Sequence, residues 1–223
     1  MNHLIVVDLG YGDAGKGTVV DWLCSRQGAP VHSVIRFNGG AQAAHNVVTP
    51  DRRHHAFSQF GAGTFTPGVR THLSRFALVD PLALAAEAQH LAVAGVRDAL
   101  GRLTADRAAL LVTPYHQAAN RARELRRAGG RHGSCGMGIG ETASYALRYP
   151  ADAPRAGDCE SPRALARKLT ALRDCLSEEL GPLDAPPVSD VCDAYRAFAA
   201  AVPLVGAGYL RRLLRAGPAV FEG

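Results

Sequence analysis

The chain has 223 residues, of which 47% are hydrophobic and 20% are charged, and its formal net charge is +5 at pH 7. This composition is typical of a globular protein with one substantial domain or two small ones. No apolar run approaches the roughly 20 residues of a membrane span, and the opening residues MNHLIVVDLG lack the basic region of a signal peptide. The five cysteines form no C-x-x-C pair, which argues against a zinc site or a disulfide scaffold. We therefore expect a cytoplasmic protein that binds no membrane.

The positive charge does not by itself indicate a nucleic-acid partner. The arginines are dispersed along predicted helices such as 117–127 and 162–173, without interleaved aromatic residues. This spacing favours solvated helix faces over a nucleic-acid surface. We expect no nucleic-acid partner, although a phosphorylated small molecule could bind a few of these arginines.

The N-terminal part of the chain alternates between apolar runs and amphipathic segments. The patterns predict four strands, which are 3–9 (buried), 31–37, 54–60 (short) and 108–114 (apolar). They also predict three helices, which are 15–26, 78–95 (starting at Asp80–Pro81) and the basic helix 116–127. The first helix is predicted to turn four side chains inward: Val19, Val20, Trp22 and Leu23. His116 is expected to be a helix-start residue with a packing role.

The C-terminal part reads as mainly helical. After a glycine-rich segment at 129–141, the pattern predicts three helices at 161–180, 189–201 and 203–216. A proline-containing linker at 181–187 separates the first two helices, and a short strand is predicted at 218–223. Strands that alternate with helices indicate an α/β fold, with a mainly parallel central sheet flanked by helices as in P-loop NTPases.

A glycine-rich loop follows the first predicted strand and carries the strongest functional signal. Its sequence, GYGDAGKG at 10–17, fits the G-x-x-x-x-G-K pattern of a phosphate-binding loop. The glycine N–H groups and the positive end of the following helix suit phosphate oxygens. However, Gly17 occupies the position where a Walker motif has Ser or Thr, which argues against a Walker-type NTPase or kinase.

The lysine in this loop is unusual for this chain. Of the 25 Lys and Arg residues, only Lys16 and Lys168 are lysines. A lysine inside the glycine loop is therefore better explained by phosphate binding than by chance. The alternative is a strand–turn–helix without a ligand.

Five segments resemble, in order and at consistent spacing, the motifs of the adenylosuccinate synthetase family: GDAGKGTVVD (12–21), RFNGGAQAAHNVV (36–48), DRAALLVTPYHQAANRARE (106–124), GSCGMGIGETASYA (133–146) and RAGDCESPRALARKL (155–169). The resemblance implies a GTP- and Mg²⁺-dependent ligase that joins aspartate to IMP through a 6-phosphoryl intermediate, in a homodimer. It implies one family domain over 1–223, with a nucleotide-binding α/β part at 1–150 and a mainly helical part at 155–216.

The same resemblance implies roles for individual residues. Asp13 matches the family's general base and a Mg²⁺ ligand, and the main-chain carbonyl of Gly40 matches a second ligand. His45 matches the catalytic histidine, and Lys16 would hold phosphates. The remaining positions implied to bind nucleotide or phosphate are Gly12, Gly15, Gly17, Thr18, Asn38, Gly39, Gln42, Ser134, Cys135 and Arg148. Arg148 would reach a partner subunit, although the ungapped match at that position is Tyr149.

Several departures from the family pattern keep alternatives open. Gln42, Cys135 and Met137 replace family residues around the nucleotide, which leaves open a paralogue with another oxopurine nucleotide or amine donor. Family members are also about twice as long, so we expect this chain to be the N-terminal portion of a longer protein or a truncated product. Alone, it could bind phosphate as a catalytically incomplete remnant.

Overall fold

The computed structural model describes residues 2–10, 12–26, 30–130 and 132–223. The strands of the main sheet are β1 (Leu4–Val6), β2 (Ser33–Arg36), β5 (Arg70–Leu73), β7 (Leu103–Asp106), β9 (Leu204–Val205) and β10 (Ala219–Glu222). They lie in the order β1–β10–β2–β5–β7–β9, and every neighbouring pair is parallel. The predicted α/β fold with a parallel central sheet is confirmed.

Two small sheets and seven helices complete the described fold. An antiparallel hairpin pairs β3 (His45–Val48) with β4 (His54–Phe57), and a short parallel pair joins β6 (Leu78–Val79) to β8 (Leu110–Leu111). The helices are α1 (Lys16–Ser25), α2 (Pro81–Val93), α3 (Pro114–Arg126), α4 (Ile139–Arg148), α5 (Pro162–Leu180), α6 (Val188–Ala201) and α7 (Gly208–Ala216). No helix in the described ranges combines the length and the apolar character that crossing a membrane requires.

Side-chain caps fix where several helices begin. The Asp80 carboxylate accepts hydrogen bonds from the N–H groups of Leu82 and Ala83, and Pro81 occupies the first helical position of α2. This combination satisfies otherwise unpaired donors in the first turn. The predicted start of α2 at Asp80–Pro81 is confirmed.

Helix α5 contributes a large part of the core. Its leucines recur every three or four residues, so they share one face, and all are buried: Leu165, Leu169, Leu172, Leu176 and Leu180. Tyr195 of α6 is also fully buried, and its hydroxyl donates to the Val112 carbonyl oxygen at 2.6 Å. The predicted helices 161–180 and 189–201 are therefore confirmed to within a residue or two.

The structure departs from the predicted strands and helices at several places. The predicted strand 108–114 is reduced to Leu110–Leu111, in a small sheet, because the preceding segment β7 takes the place in the main sheet. Strand β5 was missed, since its sequence RTHL is polar. The predicted helix 203–216 begins only at Gly208, because Leu204–Val205 pairs with β7 instead.

The first strand and helix are more exposed than expected. Strand β1 lies at the sheet edge, and Ile5 is 68% exposed, so the prediction of a buried strand was wrong. In α1, Val20 and Leu23 are buried as expected, but Val19 and Trp22 are exposed. The helix packs through one face only, because no described element covers its other side.

His116 lies in the first turn of α3 and is packed inside, as predicted for a helix-start residue. It is buried, its Nδ1 accepts a hydrogen bond from the Thr113 N–H at 3.2 Å, and its own N–H donates to the Thr113 hydroxyl. This reciprocal pair is a capping box. Burial lowers the pKa of His116 from 6.5 to about 3.

The pKa of His116 predicts a loss of stability in acid. Because the folded-state value lies below the unfolded value, the unfolded chain takes up an extra proton as pH falls below about 6.5. By pH 5 this proton uptake lowers the free energy of unfolding by about 2 kcal/mol. Urea unfolding at pH 7 and pH 5 measures the loss. Between these pH values, the free energy of unfolding should fall by about 2 kcal/mol more in wild type than in His116→Gln, which retains a capping-box residue. Equal losses in both proteins would contradict the assignment.

Candidate functional site

The glycine loop and the segment before β3 face each other across a cleft of about 590 Å³. The first side of the cleft is residues 12–18 and the second side is residues 42–46. Gly15 has a positive φ of 79° and ends the loop where α1 begins. The first N–H groups of a helix have no partner within the helix, so the positive end of α1 opens toward this cleft.

Gly17 allows the two sides to approach. A Cβ at this position would lie 2.8 Å from the His45 carbonyl carbon and 2.9 Å from the Asn46 oxygen. The neighbouring Thr18 hydroxyl donates to the same Asn46 oxygen at 3.3 Å. A serine or threonine at position 17 would therefore push α1 away from β3. The departure from the Walker pattern has a steric cause.

Lys16 has an internal partner that sequence reasoning missed. Its Nζ lies 3.3 Å from the Asp8 carboxylate, which also accepts the Gly10 N–H at 2.7 Å. The Gly10 hydrogen bond, together with Lys16, lowers the pKa of Asp8. The Gly10 N–H is thus engaged, contrary to the expectation that it points freely toward phosphate. The only sequence signal was an acidic residue that ends an apolar strand.

His45 is held by a buried carboxylate from the far end of the chain. Its Nδ1 lies 2.5 Å from Glu222 Oε1, and Arg36 Nη1 lies 3.8 Å from the same oxygen. Glu222 is fully buried, and its second oxygen accepts the Ala62 N–H at 3.0 Å. Sequence reasoning missed Glu222, because nothing local connects residues 177 positions apart.

Asp13 offers one carboxylate to the cleft. It is exposed and adopts the left-handed region, with φ of 52°, which is uncommon for a residue other than glycine. An oxygen donor of this kind suits Mg²⁺, which commonly binds one or two carboxylates together with substrate phosphates. The Gly40 carbonyl already accepts the Ala43 N–H at 3.1 Å, so one lone pair remains for a metal. The described residues contain no cluster of three or more metal-ligating side chains.

The remaining predicted residues lie at three places, two of which are cavities lined by the segment around residues 38–42. Gln42, Thr18, Gly12 and Gly15 line the main cleft. Asn38, Gly39 and Gly40 instead line an adjacent cavity of about 10 Å³, roughly the size of one water molecule.

The structure does not bring Ser134, Cys135 or Arg148 to the main cleft. Ser134 and Cys135 are exposed and line a separate pocket of about 350 Å³ beside α3. The Ser134 hydroxyl donates to Asn120 at 3.0 Å. Arg148 ends α4, with its guanidinium 3.9 Å from Glu179. Arg131, within the predicted glycine-rich segment, lies outside the described residues.

Residues 5–221 match the family model described as adenylosuccinate synthetase. The chain belongs to the adenylosuccinate synthetase family. It is 32% identical over 197 residues to the adenylosuccinate synthetase of Neisseria gonorrhoeae, a match that covers 86% of this chain and 44% of that protein. The adenylosuccinate synthetase of Bordetella petrii is 33% identical to it over 210 residues, a match that covers 91% of this chain and 46% of that protein.

Two solved structures share the fold. The fully ligated adenylosuccinate synthetase of Plasmodium falciparum superposes with a TM-score of 0.85 at 19% identity, covering 100% of this chain and 51% of that chain. The succinoaminodeoxyadenylate synthetase of cyanophage S-2L, bound to dGMP and dATP, superposes with a TM-score of 0.59 at 18% identity. This match covers 99% of this chain and 50% of that chain. This adenylosuccinate synthetase family chain thus spans about half the length of the relatives that it matches.

The contact at Gly17 predicts an unusual effect of a small substitution. Gly17→Ala should destabilise the fold by about 1–3 kcal/mol, because the new methyl group would overlap the β3 backbone. Gly140→Ala is the matched control, since its added Cβ within α4 meets open space and should be neutral or stabilising. Urea unfolding measures both. Equal effects of the two substitutions would contradict the packing argument.

The ion pair between Asp8 and Lys16 predicts stronger anion binding when it is broken. In Asp8→Asn, Lys16 no longer has a competing carboxylate, so affinity for inorganic triphosphate should rise about two- to fivefold. Calorimetry on the purified chain measures this. Glu160→Gln, which removes an exposed carboxylate paired with Arg107 outside the cleft, should leave the affinity unchanged. Weaker binding by Asp8→Asn would contradict the proposed competition.

Proposed function

We propose that this chain carries the phosphate- and nucleotide-binding part of a GTP-dependent ligase that joins aspartate to IMP through a 6-phosphoryl intermediate. The observation that carries the proposal is the single cleft shared by Asp13, Lys16 and His45. Membership in the adenylosuccinate synthetase family supports the same reaction. In this proposal, residues 1–150 bind the nucleotides and residues 155–216 form a mainly helical support.

The chemistry explains why these three side chains are needed together. The oxygen at carbon 6 of IMP is a poor leaving group, so it must first become a phosphate ester. Asp13 takes the N1 proton of the purine, and Lys16 holds the phosphate charge. His45, when Nε2 is protonated, donates a hydrogen bond to the transferring phosphoryl group or the developing oxyanion. Mg²⁺, held by Asp13 and the Gly40 carbonyl, would supply further neutralisation of phosphate charge when bound.

The other residues would bind the substrates. Gly12, Gly15, Gly17 and Thr18 present the loop backbone to the GTP phosphates, and Gln42, Asn38 and Gly39 lie near the purine. The pocket beside Ser134 and Cys135 would take the IMP phosphate, where the hydroxyl is the better donor. We further propose a cytoplasmic homodimer, in which Arg148 reaches the partner's nucleotide.

A second candidate is a ligase for another oxopurine nucleotide. Gln42 lines the main cleft, and Cys135 and Met137 line the pocket beside α3, so departures from the family pattern lie where a nucleotide would bind. The cyanophage structure that shares this fold holds dGMP and dATP. Assays should therefore include dGMP beside IMP, and dATP beside GTP.

Nucleotide binding is the first test of the proposal. The purified chain should bind GTP in the presence of Mg²⁺, and Lys16→Ala should weaken binding about tenfold or more, since a charge-assisted hydrogen bond is lost. Isothermal titration calorimetry measures the affinities. Arg163→Ala, which removes an exposed positive charge at the start of α5, is the control and should bind like wild type. No GTP binding by the folded wild-type chain would contradict the proposal.

Turnover is measured separately, because the chain spans about half the length of its relatives. Phosphate release should require GTP, IMP and aspartate together, and Asp13→Ala or His45→Ala should lower it by about 10²–10⁴-fold. Turnover that survives both substitutions would contradict the mechanism. Binding without turnover would favour an incomplete nucleotide-binding protein.

A further inference from the structure

We propose that Glu222 is a positioning residue that holds the His45 ring with its proton on Nδ1, so that Nε2 faces the nucleotide cleft. The inference rests on the proposed role of His45 in the ligase reaction. It concerns a residue that the sequence motifs did not assign. The contacts of the ring and of the carboxylate carry it.

The hydrogen-bonding rules of the two neighbours select the tautomer. His45 Nδ1 lies 2.5 Å from Glu222 Oε1 and 3.2 Å from Arg36 Nη1. A carboxylate only accepts and a guanidinium only donates, so Nδ1 cannot satisfy both at once. The carboxylate contact is much the shorter, and without a proton between them Nδ1 and the carboxylate oxygen would be two acceptors held 2.5 Å apart. Nδ1 therefore carries the proton and donates it to Glu222, while Arg36 acts as an ionic partner of Glu222.

Glu222 is itself held rigidly. It lies at the end of β10, in register with Arg36 on the neighbouring strand β2. Its side chain is fully buried, and Oε2 accepts the Ala62 N–H at 3.0 Å. Backbone pairing and two oxygen contacts thus fix the carboxylate before any ligand binds, as preorganised sites require.

The consequence for chemistry lies at the other ring nitrogen. The His45 side chain is only 11% exposed, yet His45 lines the main cleft. With Nδ1 occupied by Glu222, Nε2 is the ring nitrogen left for a ligand. When Nε2 becomes protonated, the buried carboxylate stabilises the imidazolium, as an orienting acid does for other catalytic histidines.

Nitrogen NMR on the full chain tests the tautomer directly. With ¹⁵N-labelled histidine, at a pH where the imidazole is neutral, wild-type His45 should show a protonated Nδ1 and an unprotonated Nε2. His45→Gln assigns the resonances by their disappearance. This measurement needs no substrate and no turnover.

Removal of the carboxylate should reverse the tautomer. In Glu222→Ala, the Arg36 guanidinium remains able to donate to Nδ1, so the proton should move to Nε2 and the Nδ1–H form should become the minor one. Glu222→Leu, which keeps more side-chain volume, should give the same shift. Glu160→Gln is the control and should keep the wild-type pattern. The resonances of the buried His116 should be unchanged in all variants that fold.

Two results would overturn the proposal: an Nε2–H tautomer in wild type, or an unchanged tautomer in folded Glu222→Ala or Glu222→Leu. The wild-type spectrum decides by itself if neither variant folds. A folded chain that binds no GTP but shows the Nδ1–H form would count against the proposed function alone. An active chain with Nε2–H would count against the role of Glu222 alone.

Discussion

The close approach of α1 to β3 at Gly17 is the constraint on which the candidate site depends. With only a hydrogen atom at this position, the backbone of His45 and Asn46 lies where any Cβ would overlap it. The helix N-terminus, Lys16 and the His45 ring therefore face one cleft. A larger residue would separate the phosphate-binding loop from the histidine. The glycine after the lysine is thus a packing requirement of this arrangement.

Charged side chains around this cleft are paired with one another. Lys16 pairs with Asp8, and His45 and Arg36 both contact Glu222. Charges taken out of water need such partners, because an unpaired buried charge is strongly destabilising. The Glu222 cluster and the Asp8–Lys16 pair differ in exposure to solvent. Glu222 is fully buried and permanently placed, whereas the Asp8–Lys16 pair borders the open loop, where a phosphate could replace the carboxylate.

The sequence was most informative where a local rule acts alone. Asp80 and Pro81 start a helix because a cap and a proline need no distant partner. The leucine spacing of α5 predicted its buried face for the same reason. Predictions failed where burial depends on neighbours. Ile5 is apolar but exposed because β1 lies at an edge, and polar β5 is a central strand because flanking strands pair with its backbone.

By itself, the sequence determined the family, the α/β class and the residues of the glycine loop, since these depend on short motifs and local backbone chemistry. Only the tertiary structure decided which charges meet. Strand β10, formed by residues 219–222, inserts in parallel between β1 and β2, which brings Glu222 beside Arg36 and His45. Strand order in a parallel sheet is set by packing of the whole domain. No local pattern could therefore have paired residues 45 and 222.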